Sequence, residues 1–233
     1  MKTLFRTLIL TLGFSLFIQG QLKASEPFTT GFTIKLAYVM PQTDFGVLHP
    51  TLPYELTTMN AGYGLQVGKM YFIKAIDLGD KFKIGVDVTW ISFTYLSGDY
   101  NYLRTYVGTS GSVTEEIDFP ISYLMFSAEI GPSFSFAPNE KLAFDLSFKI
   151  TPTFVTSRGQ YYINTGDSES FLASGTGLRY TPAFYLRYGV LLLGAEYNMG
   201  DVNMTYDENG FTLPNKKATV NTDALRLVLG VKF

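Results

Sequence analysis

Beyond residue 24 the sequence alternates apolar and polar residues with a period of two, in eight separate runs. Successive side chains of a strand point to opposite faces, so this period specifies sheet, and helical periodicity is hard to find anywhere in the same region. Phe32, Ile34, Leu36 and Tyr38 oppose Thr33, Lys35 and Ala37, and Ala61, Tyr63, Leu65 and Val67 oppose Gly62, Gly64 and Gln66. Phe82 to Trp90, Leu124 to Phe136 and Leu142 to Phe154 continue the pattern, as do Leu178 to Leu186, Leu191 to Met199 and Leu225 to Phe233. No charge falls on the apolar face within these runs, whereas the other face mixes Gly, Ala and Ser with scattered ions. The phase slips twice: Lys69 sits on apolar parity, and Ile91, Phe93 and Tyr95 reverse the parity of Trp90. A bulge at each place would restore the faces.

What joins the runs alternates in length. Residues 39 to 60, 97 to 122, 155 to 177 and 200 to 222 are long and rich in Pro, Tyr, Asn, Gly and acids, whereas 74 to 81, 137 to 141 and 188 to 189 are short. Long loops therefore lie at one end of the sheet and tight turns at the other. Asp207-Glu208-Asn209-Gly210 reads as a hairpin turn. No fixed-period repeat, low-complexity tract or interdomain linker interrupts the chain.

The first 24 residues are a separate object. Lys2 and Arg6 precede an apolar run from Leu8 to Ile18, the size of a signal-peptide core and too short to span a bilayer, with cleavage expected after Gly20 or Ala24. Residues 25–233 then form one domain. The balance of 18 basic and 20 acidic residues leaves no basic stripe for nucleic acid. The absence of Cys removes disulfide scaffolds and thiol catalysis, and a single histidine cannot build a zinc site.

Eight alternating strands suit either a soluble barrel with its apolar face inward or a membrane barrel with that face outward. Small residues on the polar face favour the second, because the interior of eight strands is narrow and filled by its own side chains. Strands in hydrocarbon leave no unpaired edge, so the first run must pair with the last. The expected fold is all-β, an eight-stranded antiparallel up-and-down transmembrane barrel. Tyr38, Tyr95, Tyr180 and Tyr197, with Phe136, Phe154 and Phe233, are placed near strand ends as boundary girdles.

The signal peptide, the eight amphipathic runs, the alternation of turn and loop, and a last run ending at Phe233 resemble the small eight-stranded outer-membrane barrels of Gram-negative bacteria, the OmpA/OmpX type. The resemblance covers residues 30 to 233. It implies periplasmic termini, four long extracellular loops, outer-membrane lipid and lipopolysaccharide as surroundings, and a monomer. It also implies that Leu225, Leu227, Leu229, Val231 and Phe233 are read by the barrel-assembly machinery. The sequence ends with the eighth run, so the peptidoglycan-binding domain of larger relatives is not expected.

On the polar face Lys35, Asp87, Glu129, Asp145, Lys149, Arg179, Arg187, Glu196 and Arg226 form a candidate charge network that plugs the lumen. Pairing Phe136 with Leu142 sets Glu129 opposite Lys149, and a turn at Tyr188-Gly189 sets Thr181 opposite Glu196 with Arg179 diagonal to it. The alternative use of these charges is a gated ion path. Pro132, Pro152 and Pro182 share lipid-facing parity, where each can interrupt a ladder or mark a bulge. Some outer-membrane lipid enzymes resemble this arrangement in admitting lipid at proline-weakened seams. A family of outer-membrane acyltransferases and deacylases uses histidine with serine or aspartate, but His49 lies in no local motif that supports catalysis, and no catalytic residue or cofactor is assigned. The loop residues Tyr100, Tyr102, Arg104, Tyr106, Tyr161 and Tyr162 are candidates for contact with a surface ligand, since rigid amphipathic rings suit binding. Loop acids such as Glu115, Glu116, Asp118, Asp207 and Glu208 read as a solvated face rather than a cation site.

Overall fold

A computed structural model of the chain describes residues 27–43, 56–73, 75–76, 78–108, 111–162, 168–208 and 211–233. The expected leader, with cleavage after Gly20 or Ala24, and His49 lie outside the described residues.

Eleven strand elements follow in order: β1 (Gly31–Pro41), β2 (Leu56–Met59), β3 (Gly62–Phe72), β4 (Phe82–Gly108), β5 (Gly111–Phe136), β6 (Leu142–Tyr162), β7 (Ser168–Tyr188), β8 (Leu191–Asn198), β9 (Asp201–Glu208), β10 (Phe211–Asn221) and β11 (Ala224–Lys232). The short β2 lies above β3 and pairs with β4. In the same way β8 runs on into β9, and β10 into β11, so the elements make eight staves. Each stave is antiparallel to its neighbours in chain order, and the barrel closes where β1 meets β11, with Leu36 opposite Leu229 and Ala37 opposite Val228. The all-β up-and-down barrel expected from the alternation is what the chain forms.

The long loops of the sequence reading are corrected. Residues 97–108 and 111–122 are ladder partners, from Ser97 opposite Ser122 to Gly108 opposite Gly111. Residues 155–162 pair with 168–175, and β9 pairs with β7 from Asn203 to Glu208 and with β10 from Asp201. These segments are continuations of the staves rather than loops. Their Tyr and Thr content suits strands. Residues 44–55 of the first long segment lie outside the described residues. Glu208 pairs with Phe211, and Asp207 with Thr212, as the expected hairpin requires, although Asn209-Gly210 itself is not described.

One of the two expected bulges forms. Thr89 pairs with Glu129 and Ser92 with Ser127, so β4 carries one extra residue at Trp90-Ile91, and both of these side chains face outward. The same extra residue shifts the β3–β4 ladder between Val67 and Gly68. β3 itself keeps its parity, so Lys69 stays on the outer face near the turn end, with its ammonium 5.2 Å from the Tyr71 ring centre. A long basic side chain at that level can lie along apolar surface and reach water.

The faces change character along the staves. Toward the tight turns, Leu36, Leu65, Phe134, Leu146, Ile150, Phe184 and Leu229 are outside, while Lys35, Asp87, Glu129, Lys149 and Arg226 are fully buried inside. Toward the hairpins the order reverses. Leu96, Ile121, Tyr123, Met125, Val155, Val202, Met204 and Val220 fill the interior, and Ser97, Asp99, Arg158, Asp201, Asn203 and Thr219 face outward. Leu172 is an outward exception in the hairpin half. The reversal falls at a line of outward rings that includes Tyr38, Tyr63 and Tyr95, where Tyr38 and Tyr63 lie 5.9 Å apart and Tyr63 is the ladder partner of Tyr95.

Candidate functional site

Two groups of ions occupy the turn-end half of the interior. The larger is centred on Glu196, on the inward parity of β8 directly across the ladder from Arg226 of β11. Lys35 reaches Glu196 Oε1 at 3.2 Å, Lys149 reaches the same oxygen at 3.4 Å, and Gln66 donates to Oε2 at 2.8 Å. Arg226 pairs with Glu196 and also with Glu129 at 2.7 Å, while donating to Ser92 Oγ at 3.1 Å. Lys149 bridges to Glu129 at 2.5 Å and lies 3.8 Å from Asp87. The Tyr185 hydroxyl donates to Glu196 and accepts from Lys35 at 3.1 Å and from Lys149 at 3.2 Å. Strands from all around the barrel thus meet on a few oxygens, and Glu196, Glu129, Lys149 and Arg226 are each held by more than one partner.

The second group lies nearer the turns. Arg187 donates through Nε and Nη2 to both oxygens of Asp145, the Nη2 bond measuring 2.8 Å, and Ser135 donates to Asp145 as well. The remaining Nη1 of Arg187 donates to the Pro27 carbonyl at 2.7 Å, as does the buried Lys232 at 3.4 Å.

All nine charged residues expected on the polar face are therefore buried inside, but their partners differ in part from those expected. β5 and β6 pair Phe136 with Phe144 rather than with Leu142. Asn139 Oδ1 accepts the backbone N–H groups of Lys141 and Leu142, which widens that turn by two residues. Glu129 and Lys149 are consequently diagonal, and their long side chains still meet. At the next turn the central residues are Gly189 and Val190, because glycine takes the left-handed φ of 58° at the first central position. That pairs Ala183, not Thr181, with Glu196. Arg179 is left away from Glu196, donating to Met125 Sδ at 3.5 Å with no carboxylate in ion-pair contact among the described residues.

Tyr185, Gln66, Lys232, Ser92 and Ser135 were missed. Tyr185 and Gln66 share parity with charged neighbours, and Lys232 is the last inward residue of β11, so parity alone could have found them. The apolar upper interior was also missed, because reading residues 97–122, 155–177 and 200–222 as loops ended the parity count too early.

The three prolines coincide with breaks in the ladders. Between Ser127–Thr153 and Ser133–Ser147 the β5–β6 seam keeps only the Ile130–Ile150 pair. Pro132 and Pro152 keep their partners on the far sides, Val86 and Leu178. Their missing N–H groups thus both fall on the β5–β6 seam and leave the Phe148 and Ala128 carbonyls without those donors. Pro182 does the same between β7 and β8, where the ladder stops at Ala183–Glu196 and resumes as a lone bridge from Tyr180 to Met199.

Of the surface candidates, Tyr100, Tyr102, Arg104 and Tyr106 lie in β4 opposite Phe119, Ile117, Glu115 and Val113, and Tyr161 and Tyr162 lie in β6 opposite Glu169 and Ser168. They are strand residues, not loop residues. Leu227 and Leu229 of β11 and the following Phe233 are exposed on the outer face, and Leu225 and Val231 are half-buried there. Among the described residues no group of three His, Cys, Asp or Glu side chains could hold a metal ion.

No family model and no curated protein matches the sequence. Among solved structures, the chain is similar to Ail, the attachment invasion locus protein of Yersinia pestis, in complex with the heparin analogue sucrose octasulfate, at 16% identity over 88% of this chain and 97% of that one, with a TM-score of 0.41. It is similar to the outer membrane protein OprG of Pseudomonas aeruginosa at 12% identity over 89% and 98%, TM-score 0.45, and to the outer membrane protease OmpT of Escherichia coli at 9% over 88% and 91%, TM-score 0.44. The fold of this chain rests on its own ladders, not on these likenesses.

Proposed function

We propose that this chain is an outer-membrane barrel, with its turn-end half in hydrocarbon and its hairpin-end half above the membrane as a surface for ligand contact. The observation that carries this reading is the reversal of the faces within single staves. Apolar-out with ions inside suits lipid, and apolar-in with polar residues outside suits water, and the change falls at a line of tyrosines as a membrane boundary requires. The interior is closed by the ion layer below and the apolar layer above, so the protein acts as a surface element rather than a pore. It carries out no reaction of its own. Leu225, Leu227, Leu229, Val231 and Phe233 present the outward stripe through which assembly machinery receives the barrel, and the barrel works as a monomer among lipid and lipopolysaccharide.

Ligand contact is assigned to the β4–β5 hairpin. Among the described residues its ladders to β2 and β6 end at Asn101 and Ile121, and the β4–β5 pairing continues to Gly108 and Gly111, carrying Tyr102, Arg104 and Tyr106. Strand edges that form no ladder among the described residues offer backbone donors and acceptors to an extended partner.

The chain has no cysteine, so single-cysteine variants give clean topology. Cysteines at Arg158 and Asn203 are expected to react with a membrane-impermeant maleimide on intact cells, and cysteines at Leu65 and Ile150 to be protected. Equal labelling of all four, or a mature protein that stays folded in buffer without detergent, would overturn the membrane reading. Large stable conductance steps in planar bilayers would overturn the closed interior. Alanine blocks over 100–106 and 161–162 are expected to abolish cell-surface binding without changing barrel folding, and unchanged binding would overturn the hairpin's role.

A further inference from the structure

We propose that the turn-end mouth of the barrel is an oxyanion site, built from Arg187 and Lys232, whose anion position is taken in this structure by the Pro27 carbonyl oxygen. Two buried cations converge on that single neutral oxygen, Arg187 Nη1 at 2.7 Å and Lys232 Nζ at 3.4 Å. Both side chains are almost wholly buried, at 2% and 0% exposure. Asp145 does not balance the pair. Its oxygens are already engaged by the Arg187 fork and by Ser135, and no carboxylate of the described residues is in ion-pair contact with Lys232. Arg187 and Lys232 therefore share one carbonyl dipole, where a full negative charge would be the better partner.

The surroundings fit a compact tetrahedral anion. The Phe72 ring lies 5.0 Å from the Lys232 ammonium and 6.0 Å from the Arg187 guanidinium, forming an apolar wall beside the two donors. Gly31 leaves room for the lysine stem, since a Cβ there would stand 2.8 Å from Lys232 Cε. What covers the site is a short strap, residues 27–30, that crosses the mouth before β1 begins. Besides the Pro27 carbonyl it is held by Phe28, edge-on to Phe72 at 5.7 Å, and by Thr30 Oγ1, which accepts the Phe72 N–H at 3.5 Å. Thr29 and Thr30 are exposed. A phosphate oxygen entering at the Pro27 position takes charge-assisted bonds from both cations, in exchange for the carbonyl's bonds and the strap contacts. The ligand class is a phosphate group, either free or in a phospholipid headgroup. The headgroup source alone rests on the membrane reading above.

The experiment uses the mature barrel folded in detergent, with inorganic phosphate as the probe and 31P line broadening as the readout. Phe28→Ala combined with Thr30→Ala loosens the strap and is expected to tighten phosphate binding about tenfold, because the competing closed form is depopulated. Adding Lys232→Met is expected to remove the binding. Lys232→Gln is the second variant should the first fail to fold, with folding judged by the heat-dependent gel shift. Phosphate binding that is absent from the strap variant, or unchanged by loss of Lys232, overturns the proposal. A second arm compares nanodiscs of a phosphate-free glycolipid with nanodiscs containing phosphatidylglycerol. Competition by the phospholipid supports a headgroup source, and undiminished binding supports a free anion. Because the detergent arm needs no bilayer, its failure is distinguishable from failure of the membrane reading.

Discussion

Glu196 and Arg226 face each other across the β8–β11 ladder, and the same guanidinium reaches over the lumen to Glu129 at 2.7 Å. One side chain thus ties neighbouring staves together and joins them to the far wall. Replacing Glu196 with Gln leaves Arg226, Lys35 and Lys149 short of a common counter-charge. Loss of one partner from a buried ion group costs about 3–5 kcal/mol. Urea unfolding of the barrel in lipid vesicles is expected to show a destabilisation of that order.

Tyr185 links Glu196 to Lys35 and Lys149 through its hydroxyl. Tyr185→Phe keeps the ring and removes that link, so the expected loss is about 1–3 kcal/mol. It should be smaller than the loss for Glu196→Gln by the same assay, and an equal or larger loss would show that the hydroxyl is the organising centre instead.

On the outer face, Leu229→Arg places a charge on the exposed stripe of β11 well away from either end of the strand. In lipid this is expected to cost about 2–4 kcal/mol, whereas Lys69→Leu near the turn end is expected to be close to neutral. If the barrel worked in water, Leu229→Arg would be tolerated like any surface substitution.

The β5–β6 seam is weak because Pro132 and Pro152 each withhold a donor from it. Pro132→Ala with Pro152→Ala supplies two ladder bonds, worth about 1 kcal/mol each, against an unfolded-state entropy gain of about 0.4–1 kcal/mol per site. Global stability is expected to change little. Amide exchange at Ile130 and Ile150 is expected to slow, and unchanged exchange would mean that the seam is held by other groups, such as the Glu129–Lys149 bridge.

The faces of the strands were legible in the sequence, and the partners across them were only partly so. Parity assigned all nine charged residues to the interior, because side-chain direction along a strand is a local property of the backbone. Register depends on turns. Asn139 and Gly189 each moved a ladder by two residues, which keeps every side chain on its face but changes what lies opposite, so Lys149 became diagonal to Glu129 and Arg179 lost Glu196. The extra residue at Trp90-Ile91 was readable because a bulge reverses parity, whereas Lys69 broke the pattern without any backbone change.

Alternation and the absence of charge on one face determined a closed eight-stranded sheet with polar residues inside, because the period of a strand and the need to pair every edge are properties of the chain alone. The tertiary structure decided how far the staves rise, where inside and outside exchange character, and which ions share an oxygen. Those features arise between residues such as Lys35 and Glu196, or Pro27 and Lys232, that are remote along the chain and brought together only by turn geometry and barrel closure.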